Sequence, residues 1–76
     1  MAKSKKISTV NVIETNDGVP NNLISYPDTA IGNELAEQLF ARIARENGAK
    51  DENINSHIED GYYENGTYSV YLVHSN

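Results

Sequence analysis

His57 and His74 are the only imidazoles in the chain, and there is no cysteine. Two imidazoles held together can share a metal ion or titrate as a pair near neutral pH. If residues 54–64 run as a strand into a hairpin turned at Asn65-Gly66, His57 falls directly opposite His74. If that stretch is helical, the pairing disappears. Two ligands are in any case fewer than a retained zinc site ordinarily takes from its protein, and the nearest acid on that face is Glu59. A Ser/His/Asp set can be written down from Ser69 or Ser75, His57 or His74, and Asp60, but no nucleophile-elbow motif frames any of these serines. The carboxylate pairs Asp51-Glu52 and Glu59-Asp60 lie among hydrophilic neighbours. General acid catalysis needs one carboxyl desolvated, so these pairs read as a solvated face. Gly18, Gly32, Gly48, Gly61 and Gly66 are spaced too widely for a phosphate-binding loop.

The tyrosines are the more informative group. Tyr62, Tyr63, Tyr68 and Tyr71 fall within ten residues and are interleaved with Glu59, Asp60 and Glu64. One reading is structural, with cross-strand aromatic pairs such as Tyr63 with Tyr68 fixing a hairpin register. The other is a protein-binding patch, since tyrosine offers a large contact area with a polar tip. The flanking acids would then select a basic partner.

The elements that must position these residues can be read from periodicity. Residues 7–15 are β-branched and read as a strand. Asp17-Gly18 then supplies a two-residue type I′ turn. That turn aligns Val12 with Leu23, so that Val10, Val12 and Leu23 share one face while Ile13, Ile24 and Tyr26 share the other. Pro20 falls at a non-hydrogen-bonded position opposite Thr15, which makes the second strand a sheet edge. Asp28 or Thr29 is placed to cap a helix over residues 30–47. Ile31, Leu35, Leu39 and Ile43, with Ala36, Phe40 and Ala44 beside them, form its apolar stripe, and Gly48 stops it.

Residues 51–60 fit a short helix capped by Asp51 and stopped by Gly61 slightly better than they fit a strand. The last hairpin turns at Asn65-Gly66, a sequence that with Thr67 is also formally a glycosylation sequon. Tyr68, Val70 and Leu72 point one way along its second strand, and Tyr71 and Val73 point the other. The expected architecture is α+β in the order β-β-α-(short α)-β-β. It is a four-stranded antiparallel sheet of two hairpins with one amphipathic helix on one face. Residues 1–6 form a flexible basic tail, and residues 7–76 form the single domain.

Composition narrows the function. The chain has 76 residues and a formal net charge of −5. Lys3, Lys5 and Lys6 mask part of that charge. Residues 7–76 set three bases (Arg42, Arg45, Lys50) against eleven acids, a net −8, and residues 51–76 have no Lys or Arg at all. Nucleic-acid binding draws most of its affinity from Lys and Arg on phosphates, so direct nucleic-acid binding is not expected. An anionic membrane surface is disfavoured for the same reason. Leu, Ile, Val and Phe make up about 22% of the chain, just above the level that marks disorder. The core is thin, and a pocket of enzymatic size needs walls that a chain this short supplies with difficulty.

The absence of cysteine fits a reducing compartment. No apolar run suits a secretory signal or a membrane span, so a cytoplasmic location is expected. No catalytic, cofactor or metal residues are expected either.

In size, acidity and build the chain is like many small phage and mobile-element accessory proteins. Some of these inhibit host systems by presenting acidic surface where nucleic acid would bind. The likeness is one of size and charge alone.

Three functional expectations follow. The first is a non-enzymatic interaction module using the acidic Tyr-rich C-terminal hairpin (Glu59, Asp60, Tyr62, Tyr63, Glu64, Tyr68, Tyr71) toward a basic protein partner. The second is a homodimer formed through a spare sheet face containing Ile13, Ile24, Tyr71 and Val73. The third is a weak metal or catalytic site at His57/His74.

Overall fold

A computed structural model describes residues 8–75. The basic tail over residues 1–6 lies outside the described residues. The strands are β1 (Thr9–Asn16), β2 (Val19–Pro27), β3 (Tyr62–Asn65) and β4 (Tyr68–Ser75). Between the two hairpins lie α1 (Ala30–Glu46), a single 3-10 turn at Asp51–Asn53 and α2 (Ile54–Asp60). The four strands form one antiparallel sheet in the order β2-β1-β4-β3. The expected α+β architecture is therefore the one observed. Its centre is the pairing of the first and last strands, and β2 is an edge as Pro20 requires.

The first turn follows from its residues. Asp17 and Gly18 both have positive φ, 56° and 78°, as a type I′ turn demands. The register beyond it departs from the expected one. A bulge between Glu14 and Thr15 shifts the pairing, so Val12 lies opposite Ile24 and Ile13 opposite Leu23. Ile24 and Leu23 therefore exchange faces relative to the expectation, because one extra residue in a strand flips every side chain beyond it.

The second hairpin also turns one residue later than expected. Asn65 pairs with Tyr68, leaving Gly66-Thr67 as the loop. Of those two only Gly66 has positive φ, 64°, the arrangement of a type II′ turn with glycine at its first central position. Tyr63 then faces Val70, and the cross-strand aromatic pair is Tyr62 with Tyr71 rather than Tyr63 with Tyr68.

Thr29 caps α1: its hydroxyl accepts from the Gly32 N–H at 3.0 Å. The buried side of the helix is Gly32, Ala36, Phe40, Ala41, Ile43 and Ala44. Ile31 and Leu35, expected in the core stripe, are 70% and 45% exposed. α1 lays Ala36, Phe40 and Ile43 on the sheet and turns Ala41 and Ala44 toward Ile54 of α2. Its first turn comes close to the end of β2, where a Cβ on Gly32 would lie 1.8 Å from the Pro27 carbonyl oxygen. Ile31 and Leu35 are left on the flank.

Val10, Val12 and Val70 pack with Ala36, Phe40 and Ile43 as the main core. A smaller cluster of Ala41, Ala44 and Ile54 joins α2 to α1. Gly61, with φ 80°, closes α2 in the left-handed conformation that suits glycine.

Candidate functional site

The α1 side of the sheet is sealed and satisfied. The Tyr68 hydroxyl donates to Glu14 Oε1 at 2.9 Å, and Asn22 donates to Glu14 Oε2 at 2.8 Å. Burial, together with the neighbouring Glu14 carboxylate, pushes the Tyr68 phenol well above its ordinary range. The Tyr63 hydroxyl and the Asn65 side chain both donate to the Asn47 carbonyl, fastening β3 to the end of α1. Tyr63 and Tyr68 are thus structural residues, half-buried and hydrogen-bonded toward the helix side.

Among the described residues, no helix lies on the opposite face. The pairings set Leu23, Ile13, Tyr71 and Tyr62 side by side, one from each strand, as a single apolar row from edge to edge. Leu23 is 61% exposed, Tyr62 44% and Tyr71 37%. The Tyr62 and Tyr71 rings stack with centroids 6.1 Å apart. Val73, 40% exposed, extends the row by one position.

On the Val73 side the row ends in a polar cluster centred on buried Asn11. Asn11 accepts from Ser25 at 2.6 Å and donates to the Val73 carbonyl and the Ser75 hydroxyl. On the other side lie Thr15, Ser69 and Glu64. The four strands hold two carboxylates, Glu14 and Glu64, and no Lys or Arg. Glu64 stands on the open face.

A shallow depression of about 190 Å³ lies at the β3 end, lined by His57, Asp60, Tyr62, Tyr63 and Glu64. Four of the seven residues singled out from the sequence meet here. Glu59 is exposed on α2, Tyr68 faces the helix side, and Tyr71 belongs to the open row. His57 and Leu23 were not among the seven. His57 joins the depression because α2 brings it edge-on to Tyr63, with ring centroids 4.9 Å apart. Leu23 reaches the open row only through the bulge.

The histidines are not cross-strand neighbours, since residues 54–60 are helical and β3 begins at Tyr62. His74 Nε2 instead meets Asn33 Oδ1 at 2.7 Å, tying β4 to the first turn of α1. The Ser/His/Asp set is not joined by hydrogen bonds among the described residues: Ser75 bonds Thr9 and Asn11, and His74 bonds Asn33. Among the described residues, no three His, Asp or Glu side chains are placed to share a metal ion. No helix among them is long and apolar enough to cross a membrane.

A second groove lies between α1 and β2. Tyr26, Leu35, Gln38, Leu39 and Arg42 line this groove of about 310 Å³. Compared with known proteins, the chain matches no family model, no curated protein sequence and no solved structure.

Proposed function

We propose that the chain is a non-catalytic protein-interaction module that docks a partner protein on the open face of its sheet. The partner presents an apolar centre with basic groups at its margin. The observation that carries this reading is the uncovered row Leu23–Ile13–Tyr71–Tyr62. Contiguous exposed apolar surface rimmed by polar residues marks interaction sites. Two tyrosines at its β3 end add the contact chemistry that interfaces favour.

Charge sets the partner's character. Glu64 stands on the open face, and Asp60 is beside it in the depression at its edge. Arg42, Arg45 and Lys50, the Lys and Arg of the described residues, belong to α1 and the segment after it. Arg45 is already engaged, 2.7 Å from Asp51. A second copy of the chain brings another net −5 toward the same face, so a basic partner is favoured over self-association.

The test is binding by the chain and two folded variants to proteins of the cell that encodes it, with molar mass measured in parallel. Leu23→Thr/Tyr71→Thr removes the row and keeps strand propensity. Glu59→Lys/Asp60→Lys/Glu64→Lys reverses the rim. Both variants are expected to lose a partner that the unaltered chain retains. Equal retention by Leu23→Thr/Tyr71→Thr would end this reading. A doubled molar mass that the same variant abolishes would replace the basic partner with a second copy.

A further inference from the structure

We propose that the free edge of β3, with the depression beside it, is a slot for an extended segment of the partner that carries an arginine or lysine. This inference rests on the chain being an interaction module and names the group by which its partner is anchored.

The register defines the edge. In an antiparallel pair, hydrogen-bonded and non-hydrogen-bonded positions alternate. Asn65 and Tyr68 flank the two-residue turn, and the Leu72 N–H donates to the Gly61 carbonyl at 2.8 Å. Tyr62 and Glu64 are therefore the intervening positions, whose backbone N–H and C=O groups face away from β4. A strand laid along β3 finds those groups unpaired, and β3 contains no proline to remove a donor.

The other edge is built differently. On β2, the Asp28 N–H donates to the Ser8 carbonyl at 3.0 Å, which turns the backbone of Pro27, Ser25 and Leu23 outward. Pro27 has no N–H, and its carbonyl already accepts from Thr29 at 2.9 Å. Pro20 closes the same strand at its other end. Proline stops of this kind protect an edge from pairing.

Charge complementarity identifies the occupant of the β3 slot. The depression is lined by the aromatic residues Tyr62, Tyr63 and His57 and by the acids Asp60 and Glu64. An aromatic wall with carboxylates at hand suits a guanidinium or ammonium group through cation–π contact and charge-assisted hydrogen bonds. Main-chain pairing along the edge supplies orientation, as in other strand-addition modes.

The experiment follows backbone amide and His57 ring resonances of the full chain during titration with the blocked peptide acetyl-Thr-Val-Arg-Thr-Val-amide. The slot predicts saturable shifts at Tyr62, Glu64 and His57 in the millimolar range or below. Replacing the peptide's arginine with glutamine, or making Asp60→Asn/Glu64→Gln in the chain, weakens binding about tenfold or more. Asp60 and Glu64 are exposed, so this variant keeps its fold. Methylating the peptide nitrogens that pair with β3 also weakens binding, whereas methylating the alternate ones does not. Leu23→Thr leaves peptide binding unchanged, although it impairs docking of a whole partner on the open face. The inference is overturned if no saturable shift appears, if shifts centre on Leu23 and Ser25, or if the glutamine peptide binds equally well. A null peptide result with partner docking intact would remove the slot and leave the interaction module standing.

Discussion

The two faces of the sheet are built from the same strands and much the same residue classes, yet they end in opposite environments. On one, Val10, Val12 and Val70 are 0–1% exposed beneath Phe40, which is itself fully buried. On the other, Leu23, Tyr62, Tyr71 and Val73 keep 37–61% of their surface in solvent. Apolar character alone therefore does not decide which face the helix covers. What decides it is fit. α1 seats Phe40 and Ile43, with Ala36 beside them, on Val10, Val12 and Val70, and Gly32 lets its first turn come close to the Pro27 carbonyl. The hydrogen bonds of Tyr68, Tyr63 and Asn65 then lock the covered side. A short chain with a thin core still leaves a complete apolar row uncovered, and that is the physical basis for assigning it to binding rather than to stability.

Substitutions can break this contrast in graded steps. Phe40→Ala, on the covered side, is expected to cost about 3–5 kcal/mol, a large share of what so small a domain can hold. Chemical denaturation checks it. Gly32→Ala comes next. Alanine gains about 1 kcal/mol of helix propensity over glycine, but its Cβ would meet the backbone oxygen of Pro27 at 1.8 Å. The clash prevails, and a net loss of about 1–3 kcal/mol is expected.

Tyr68→Phe removes one hydrogen bond, and a loss of about 1 kcal/mol is expected at neutral pH. It also alters the alkaline limb. The pKa of the folded Tyr68 phenol is raised above the ordinary value of 10.0, so the folded state holds its proton where the unfolded state releases it. That stabilisation is fully present below pH 10 and declines as pH rises above it. Stability measured against pH should therefore fall less steeply above pH 10 in Tyr68→Phe than in the unaltered chain. The smallest effect on stability belongs to the open row. Leu23→Thr is expected to stay within about 0.5 kcal/mol, while partner binding is lost.

Much of the fold was legible because the signals are local. Asp17-Gly18 has the backbone freedom its turn needs, Thr29 has the hydroxyl for its cap, and Pro20 marks its strand as an edge. Three features were not legible, each for a physical reason. The bulge at Glu14/Thr15 has no residue signature, yet it moves Ile24 to the face shared with Val12 and Leu23 onto the open face. The loop Gly66-Thr67 competes with Asn65-Gly66 for the same glycine. The winner is set by tertiary contacts: Asn65 bonded to the Asn47 carbonyl, and Tyr68 to Glu14. α1 is oriented by Phe40 and Ile43 on the sheet and by Ala41 and Ala44 against α2, which leaves Ile31 and Leu35 exposed although they share the helical period of the stripe. For the candidate site, the clustering of acids and tyrosines is visible in the sequence, and the structure brings Asp60, Tyr62, Tyr63 and Glu64 together in one depression. Their division between two faces follows from strand alternation, and the late turn changed only which residues stand opposite one another, Tyr62 with Tyr71 rather than Tyr63 with Tyr68.

Tyr71 on the open row and Ile31 on the outer flank of α1 are both exposed apolar positions, and only the first belongs to the proposed docking surface. Site-specific photo-cross-linking from each position, in cells that encode the chain, tests the central claim most directly. A benzophenone side chain at position 71 should yield an adduct with one other polypeptide, and the same group at position 31 should not. No adduct at 71, the same adduct from both positions, or an adduct only with a second copy of the chain would contradict the account.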